Sequence, residues 1–263
     1  MDILTHTMTG LAVGTVAAGF SKKSWFMKSK YILAGGFAGA LPDVDTVSLW
    51  SKFDKYFGPF FQLENSGKHI YSAKFWYSHH GFMHSLLAPI VLLCILALIV
   101  AVIKIKIPTI KQIRKTISLL TVFVLGYWAH LLEDMPTPSA SWGGVNFFWP
   151  SVEYTGGWGK IWWWNNYDVF IFISAIVVFN LLILALSSIM KFKAGRLCLS
   201  IFVLGVTLSV WQITNRAYDF NVASKKHGYA FCEKKSKEIQ REVLGKRIYT
   251  WMVALDNKIK LNF

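Results

Sequence analysis

Two stretches of this chain, residues 86–107 and 168–190, run for more than twenty positions each with few charges. Such length constrains the fold more than any other feature, because about 20 apolar residues in a helix match the roughly 30 Å of hydrocarbon in a bilayer. Four further apolar stretches, residues 3–20, 31–41, 117–135 and 197–213, bring the helical candidates to six. The first two of these are short and contain Gly10, Gly14, Gly35, Gly36 and Gly39, which let helices approach closely, so they read as a tight hairpin that need not span fully. Only 16% of the residues are charged and 54% are hydrophobic, whereas a soluble domain carries about 25% charge. The expected class is an all-α, polytopic membrane bundle of about six helices over residues 1–215, followed by a short, basic extramembrane tail, 216–263. Within that tail, residues 233–244 read as helix and the Asp256–Asn257 pair as a strand turn.

Three cysteines, Cys94, Cys198 and Cys232, lack metal-type spacing and give no disulfide framework. No basic region precedes the first apolar run, so a cleaved signal peptide is not expected and Asp2 and His6 should remain in the mature chain. Between the fourth and fifth helical candidates, residues 142–167 are rich in Trp and Tyr. Such residues gather at headgroup depth, where they form a belt and where a lipid would also enter.

The connections at residues 21–30, 104–115 and 191–196 hold twelve Lys or Arg and no acidic residue. Cations of this kind stay on the cytoplasmic side. Topology therefore accounts for much of the net charge of +14; the same loop cations also meet anionic lipid headgroups, so nucleic acid is not needed to explain the balance, and the basic tail carries no assigned chemistry.

The chemistry sits at the other ends of the helices. Asp2 with His6, His80 with His84, and His130 with Asp134 are each four residues apart, and Asp43 and Asp45 follow the second apolar stretch. Residues at that spacing share one helix face and can present two ligand atoms to a common point. Ionisable groups at such depth are costly to desolvate and mark function. Counting turns from the cationic loops places all four groups at one membrane face, away from the cytoplasm. Asp2 can equally cap the first helix, and Asp43 or Asp45 can cap the segment that follows. Glu133 lies about 100° around the helix from Asp134 and reads as a surface or supporting group. His69 and His227 read as solvated loop residues.

Four motifs in order carry a resemblance: Asp-x-x-Thr-His (Asp2 to His6), Leu-Pro-Asp-x-Asp (Leu41 to Asp45), His-x-Gly-x-x-His-Ser (His79 to Ser85) and Gly-Tyr-x-x-His-x-x-x-Asp followed by Thr-Pro (Gly126 to Pro138). Together they resemble the YdjM-type membrane-bound metal-dependent hydrolases, which are in turn similar to zinc-dependent phospholipase C and the zinc nucleases. The resemblance implies a helical hydrolase whose His and Asp residues hold several zinc ions. The family pattern usually reads His-Arg-Gly-x-Thr-His, so here His80 stands in the Arg place and Met83 in the Thr place. Alignment thus favours His79 as a ligand, while helical spacing favours His80 with His84.

Nitrogen and carboxylate donors without thiolate suit a divalent metal, Zn²⁺ foremost. Metal candidates are Asp2, His6, Asp43, Asp45, His79, His80, His84, His130 and Asp134, too many for one tetrahedral ion. Asp45, His84 and Asp134 are the catalytic candidates. The expected activity is hydrolysis of a phosphoester, with membrane phospholipid as the substrate class. The rival expectation is a scaffold or stress-response protein with a closed, structural metal site. A transporter ranks below both, because its charged residues would sit near the midplane of broken helices.

Overall fold

The computed structural model describes residues 2–104, 110–140, 142–164 and 166–258, with side chains of 104 and 110–115 excepted. Among these residues the architecture is helical, without strands. The only strand-like pairing described is two isolated antiparallel bridges, Pro138 with Trp158 and Val145 with Thr155. In chain order the helices are α1 (Ile3–Phe20), α2 (Trp25–Ala40), a 3-10 turn at Pro42–Leu49, α3 (Phe53–Phe61), α4 (Gly67–Ser72), a second 3-10 turn at Phe82–His84, α5 (Ala88–Lys104), α6 (Ile110–Asp134), α7 (Tyr167–Met190), α8 (Gly195–Thr214), α9 (Phe220–His227) and α10 (Tyr229–Asp256).

Among the described residues, four helices are long and apolar enough to cross a membrane: α1, residues 116–134 of α6, α7 and α8. Helix α5 is apolar and shorter over its described residues, and α2 has 16 residues. Where they are described, the six expected segments therefore all form helices, with α2 starting six residues earlier than its apolar run. Part of the expected basic turn at 104–115 lies outside the described residues. The loop between α2 and α5 holds the short helices α3 and α4, which hydropathy alone does not announce.

Helices α1 and α2 form the predicted hairpin, and their seam is backbone on backbone. A Cβ added at Gly10 would land on the carbonyl oxygen of Gly35, and one added at Gly35 on that of Gly10. Helix α6 packs across both. On its other side, α1 meets α7 through Thr15, whose hydroxyl accepts a 2.9 Å hydrogen bond from buried Asn180, a tie of about 0.6 kcal/mol in a membrane setting.

Connectivity gathers the C-terminal ends of α2 and α6 with the N-terminal ends of α1, α5 and α7 at one end of the bundle. The basic connections at 21–30 and 191–196 lie at the opposite end, where Trp25 Nε1 donates to Ser188 Oγ at 2.9 Å. The tail corrects one expectation. Residues 256–257 form no strand turn, because α10 continues through Asp256, broken only at Gly245 (φ 71°, ψ 159°).

Candidate metal centre

The residues that precede or follow the helices fix the site. Asp2 caps α1: one carboxylate oxygen accepts from Thr5 N at 2.9 Å and the other from the Thr5 hydroxyl at 2.8 Å. Of its two readings the cap is the one the geometry favours, since Asp2 stands outside the three groupings of described His and Asp side chains that could hold a metal ion. His6, one turn further on, is fully buried. Pro42 starts the 3-10 turn that carries Asp43 and Asp45.

The expected helical pairing of His80 with His84 is corrected. His80 adopts φ 64° and His84 closes the 3-10 turn Phe82–His84, before α5 begins. Their approach comes from a turn that folds back on itself, with Gly81 pressed against the carbonyls of Phe75, Trp76 and Ser78. Helix α6 holds this turn from the side. Tyr127 donates its hydroxyl to Met83 O at 2.5 Å and Trp128 Nε1 donates to Leu86 O at 3.1 Å.

Five imidazoles converge, and each has an oxygen at its Nδ1. His6 Nδ1 donates to Glu133 at 2.8 Å, His79 Nδ1 to Asp45 Oδ1 at 2.7 Å, His80 Nδ1 to the Gly144 carbonyl at 2.8 Å and His130 Nδ1 to the Gly39 carbonyl at 2.6 Å. His84 Nδ1 stands 3.1 Å from Asp45 Oδ2. A carbonyl accepts only from an N–H, so His80 and His130 keep their Nε2 lone pairs for the interior.

Those interior atoms crowd one another. His130 Nε2 lies 3.3 Å from His84 Nε2 and 3.1 Å from Asp134 Oδ2, and His6 Nε2 lies 3.1 Å from Asp134 Oδ1. Asp43 Oδ1 stands 3.8 Å from His84 Nε2 and 3.7 Å from His130 Nε2. Three overlapping sets each bring their donor atoms within 4.8 Å of one another: His79, His80 and His84; His6, His130 and Asp134; Asp43, His84 and His130. Lone pairs and carboxylates facing each other at these distances repel unless positive charge lies among them. Divalent cations fit this donor set, and the outward Nδ1 hydrogen bonds are the usual means of orienting imidazole ligands.

Asp45 therefore takes a different place from the one expected. Buried at the backs of two imidazoles, it is hydrogen-bonded to His79 Nδ1, stands 3.1 Å from His84 Nδ1 and is absent from the candidate ligand sets. Its burial favours the neutral acid, but the two histidines outweigh that and hold its pKa well below the usual carboxylate range. Burial and the neighbouring His79 and His84 keep His80 neutral, whereas the carboxylates of Asp45, Asp134 and Asp43 overcome burial at His84 and raise its pKa. Both alternatives at positions 79 and 80 enter the site.

Glu133, expected at the surface or as a supporting group, takes the supporting place, accepting from His6 Nδ1 at 2.8 Å and from Thr9 Oγ1 at 2.9 Å. The carbonyls of Gly39 and Gly144 had no signal in the sequence. His69 and His227 lie away from the cluster, against Phe75 and Phe231.

A cavity of about 440 Å³ opens on the cluster. Asp43, His79, His80 and Asp134 line one part, and much of the remaining wall is apolar or aromatic, including Tyr71, Trp142, Trp163 and Phe170. Tyr71 stacks on His79 with ring centroids 4.6 Å apart, and Trp142 stands 5.0 Å from His80. The aromatic loop is thus a wall of the site as well as a surface feature.

Fold and cluster together define a multi-helix membrane protein with a buried histidine–carboxylate centre at one end of its bundle. The chain belongs to the YdjM inner membrane protein family, whose model matches residues 1–218. That span includes every residue of the cluster and stops before α9. No curated protein and no solved structure matches the chain.

Proposed function

We propose that this protein is a metal-dependent hydrolase of a phosphoester, acting on an amphiphilic, phospholipid-like substrate at the non-cytoplasmic face of the inner membrane. The observation that carries the reading is the convergence of His6, His84, His130, Asp43 and Asp134 on one volume, with the Nδ1 of each of these imidazoles backed by an oxygen. These five residues would hold the metal ions, with His79 and His80 as further donors at the cavity wall. Zn²⁺ held there would supply Lewis acidity and a nucleophilic water near neutral pH.

The chain's own residues would do the rest. Asp45 and Glu133 orient the imidazoles and offset part of the positive charge. The aromatic and apolar wall admits the greasy part of a substrate and limits the water around its polar part. No Lys or Arg is among the described residues lining the cavity, so the metal ions would supply much of the charge that neutralises a phosphate. The outward-facing assignment rests on the cations at residues 21–30 and 191–196, which lie at the far end of the bundle.

A structural metal site is the second reading. Structural zinc is closed by four protein ligands, while catalytic zinc keeps a position open. Asp43 and Asp134 belong to the ligand sets and also line the cavity, which favours catalysis. The test is metal analysis of detergent-purified protein beside His84→Ala and His130→Ala, followed by assay on phospholipids and soluble phosphodiesters. Bound Zn²⁺ lost in both variants, with hydrolysis lost in parallel, is the expected result. Full metal content in the doubly substituted protein overturns the site, and metal without hydrolysis of any phosphoester overturns the proposed activity.

A further inference from the structure

The family match ends at residue 218, yet the chain beyond it reaches the cavity. Helix α9 docks on the aromatic loop: Phe220 N donates to Gly159 O at 2.8 Å, and Asn221 Oδ1 accepts from Ser139 N at 2.8 Å. Phe220, Ala223 and Cys232 pack with Trp162 in a small core. After the break at Gly245, the last eleven residues of α10 run back across the start of α7. There Tyr167 donates to Asp256 Oδ2 at 2.6 Å, and Met252, Leu255 and Asp256 join the cavity wall.

This last segment has three faces. Tyr249, Met252 and Val253 turn inward, half-buried, with the Tyr249 ring 5.8 Å from that of Tyr167. Ile248 and Trp251, three apart, form an exposed apolar stripe that Leu255, four further on, continues to the rim of the cavity. Lys246 and Thr250 mark a polar face, and the Arg247 guanidinium lies 4.8 Å from the Trp251 ring centroid. Because the segment rests against the first turn of a membrane-spanning helix, its apolar stripe stands at the depth where hydrocarbon gives way to headgroups. Residues 216–263 carry eleven Lys or Arg against five Asp or Glu, a balance complementary to anionic lipid.

We propose that residues 246–256 form an interfacial helix seated in the anionic headgroup layer of the bilayer, where it walls the cavity of the centre described above. Only the role of that cavity rests on the proposed function; the lipid contact stands on the tail's own geometry. The helix would be the surface along which an amphiphile leaves the bilayer for the histidine cluster.

The experiment uses full-length protein with Cys94→Ser, carrying a nitroxide at Trp251→Cys or, separately, at Thr250→Cys. Each is reconstituted into vesicles of phosphatidylethanolamine with phosphatidylglycerol, or of phosphatidylcholine alone. Collision with oxygen, relative to collision with a water-soluble nickel chelate, is expected to be severalfold higher at 251 than at 250 in the anionic vesicles. The contrast should fall in phosphatidylcholine and in the Lys246→Glu/Arg247→Glu background. Equal accessibility at the two positions, or shielding of 251 from both reagents as by a protein partner, overturns the proposal. A contrast indifferent to lipid charge and to both substitutions overturns its anionic part. None of these readouts depends on bound metal or on hydrolysis, so this proposal and the proposed activity fail separately.

Discussion

Asp45 stands between two histidines, 2.7 Å from Nδ1 of His79 and 3.1 Å from Nδ1 of His84. One carboxylate thus faces two imidazoles that sit five residues apart in a tight turn, hydrogen-bonded to the first and within ion-pair distance of the second. Asp45→Asn keeps the shape and removes the charge that polarises both rings. Metal affinity is expected to fall about 10- to 100-fold, the usual cost of losing a supporting carboxylate. Competition with a chromophoric chelator measures it, and an unchanged affinity would show that Asp45 does not orient the ligands.

The seam between α1 and α2 leaves no room for a side chain. Gly35→Val should therefore force the two helices apart, at a cost of at least the 1–3 kcal/mol typical of overpacking, since the obstacle is backbone that cannot rotate away. His6 rides on α1 and the Gly39 carbonyl on α2, so metal content should fall together with the unfolding temperature in detergent. A Phe37→Leu control on the exposed face of α2 should leave both unchanged.

The tail has a buried anchor. Arg216 and Gln212 both donate to Asp168 Oδ2, and the backbone N–H of Asp168 donates to Gln240 of α10 at 3.3 Å. Asp168→Ala strands the Arg216 guanidinium, and breaking a buried pair in this way costs about 3–5 kcal/mol. Limited proteolysis should then release the segment after residue 216. The double substitution Asp168→Ala/Arg216→Met removes both charges and should restore much of the protection; no recovery would mean that the pair does more than neutralise itself.

Much of this arrangement was legible in the sequence. Apolar length announced the helices, and the four His and Asp motifs with the cationic loops placed one cluster at one end of the bundle. Periodicity failed at His80 and His84, because a left-handed residue followed by a 3-10 turn brings side chains together as effectively as a helix does. It also could not separate Asp43 from Asp45, which share a turn: one faces the cluster, and the other stands behind it. The carbonyls of Gly39 and Gly144 are backbone acceptors and leave no trace in residue type. The tail's approach to the cavity depends on the long-range pairs Asp256 with Tyr167 and Asn221 with Ser139, which no local pattern encodes.

The separation between His6 and Glu133 has a consequence for biogenesis. These partners are 127 positions apart, and a ribosome adding about 5–20 residues per second takes roughly 6–25 s to make the intervening chain. For the part of that interval after α2 is complete, the first hairpin is made while its imidazole waits for a carboxylate not yet synthesised. The contact that seats His6 can therefore form only once α6 has arrived, and α6 times the completion of the first hairpin's buried end.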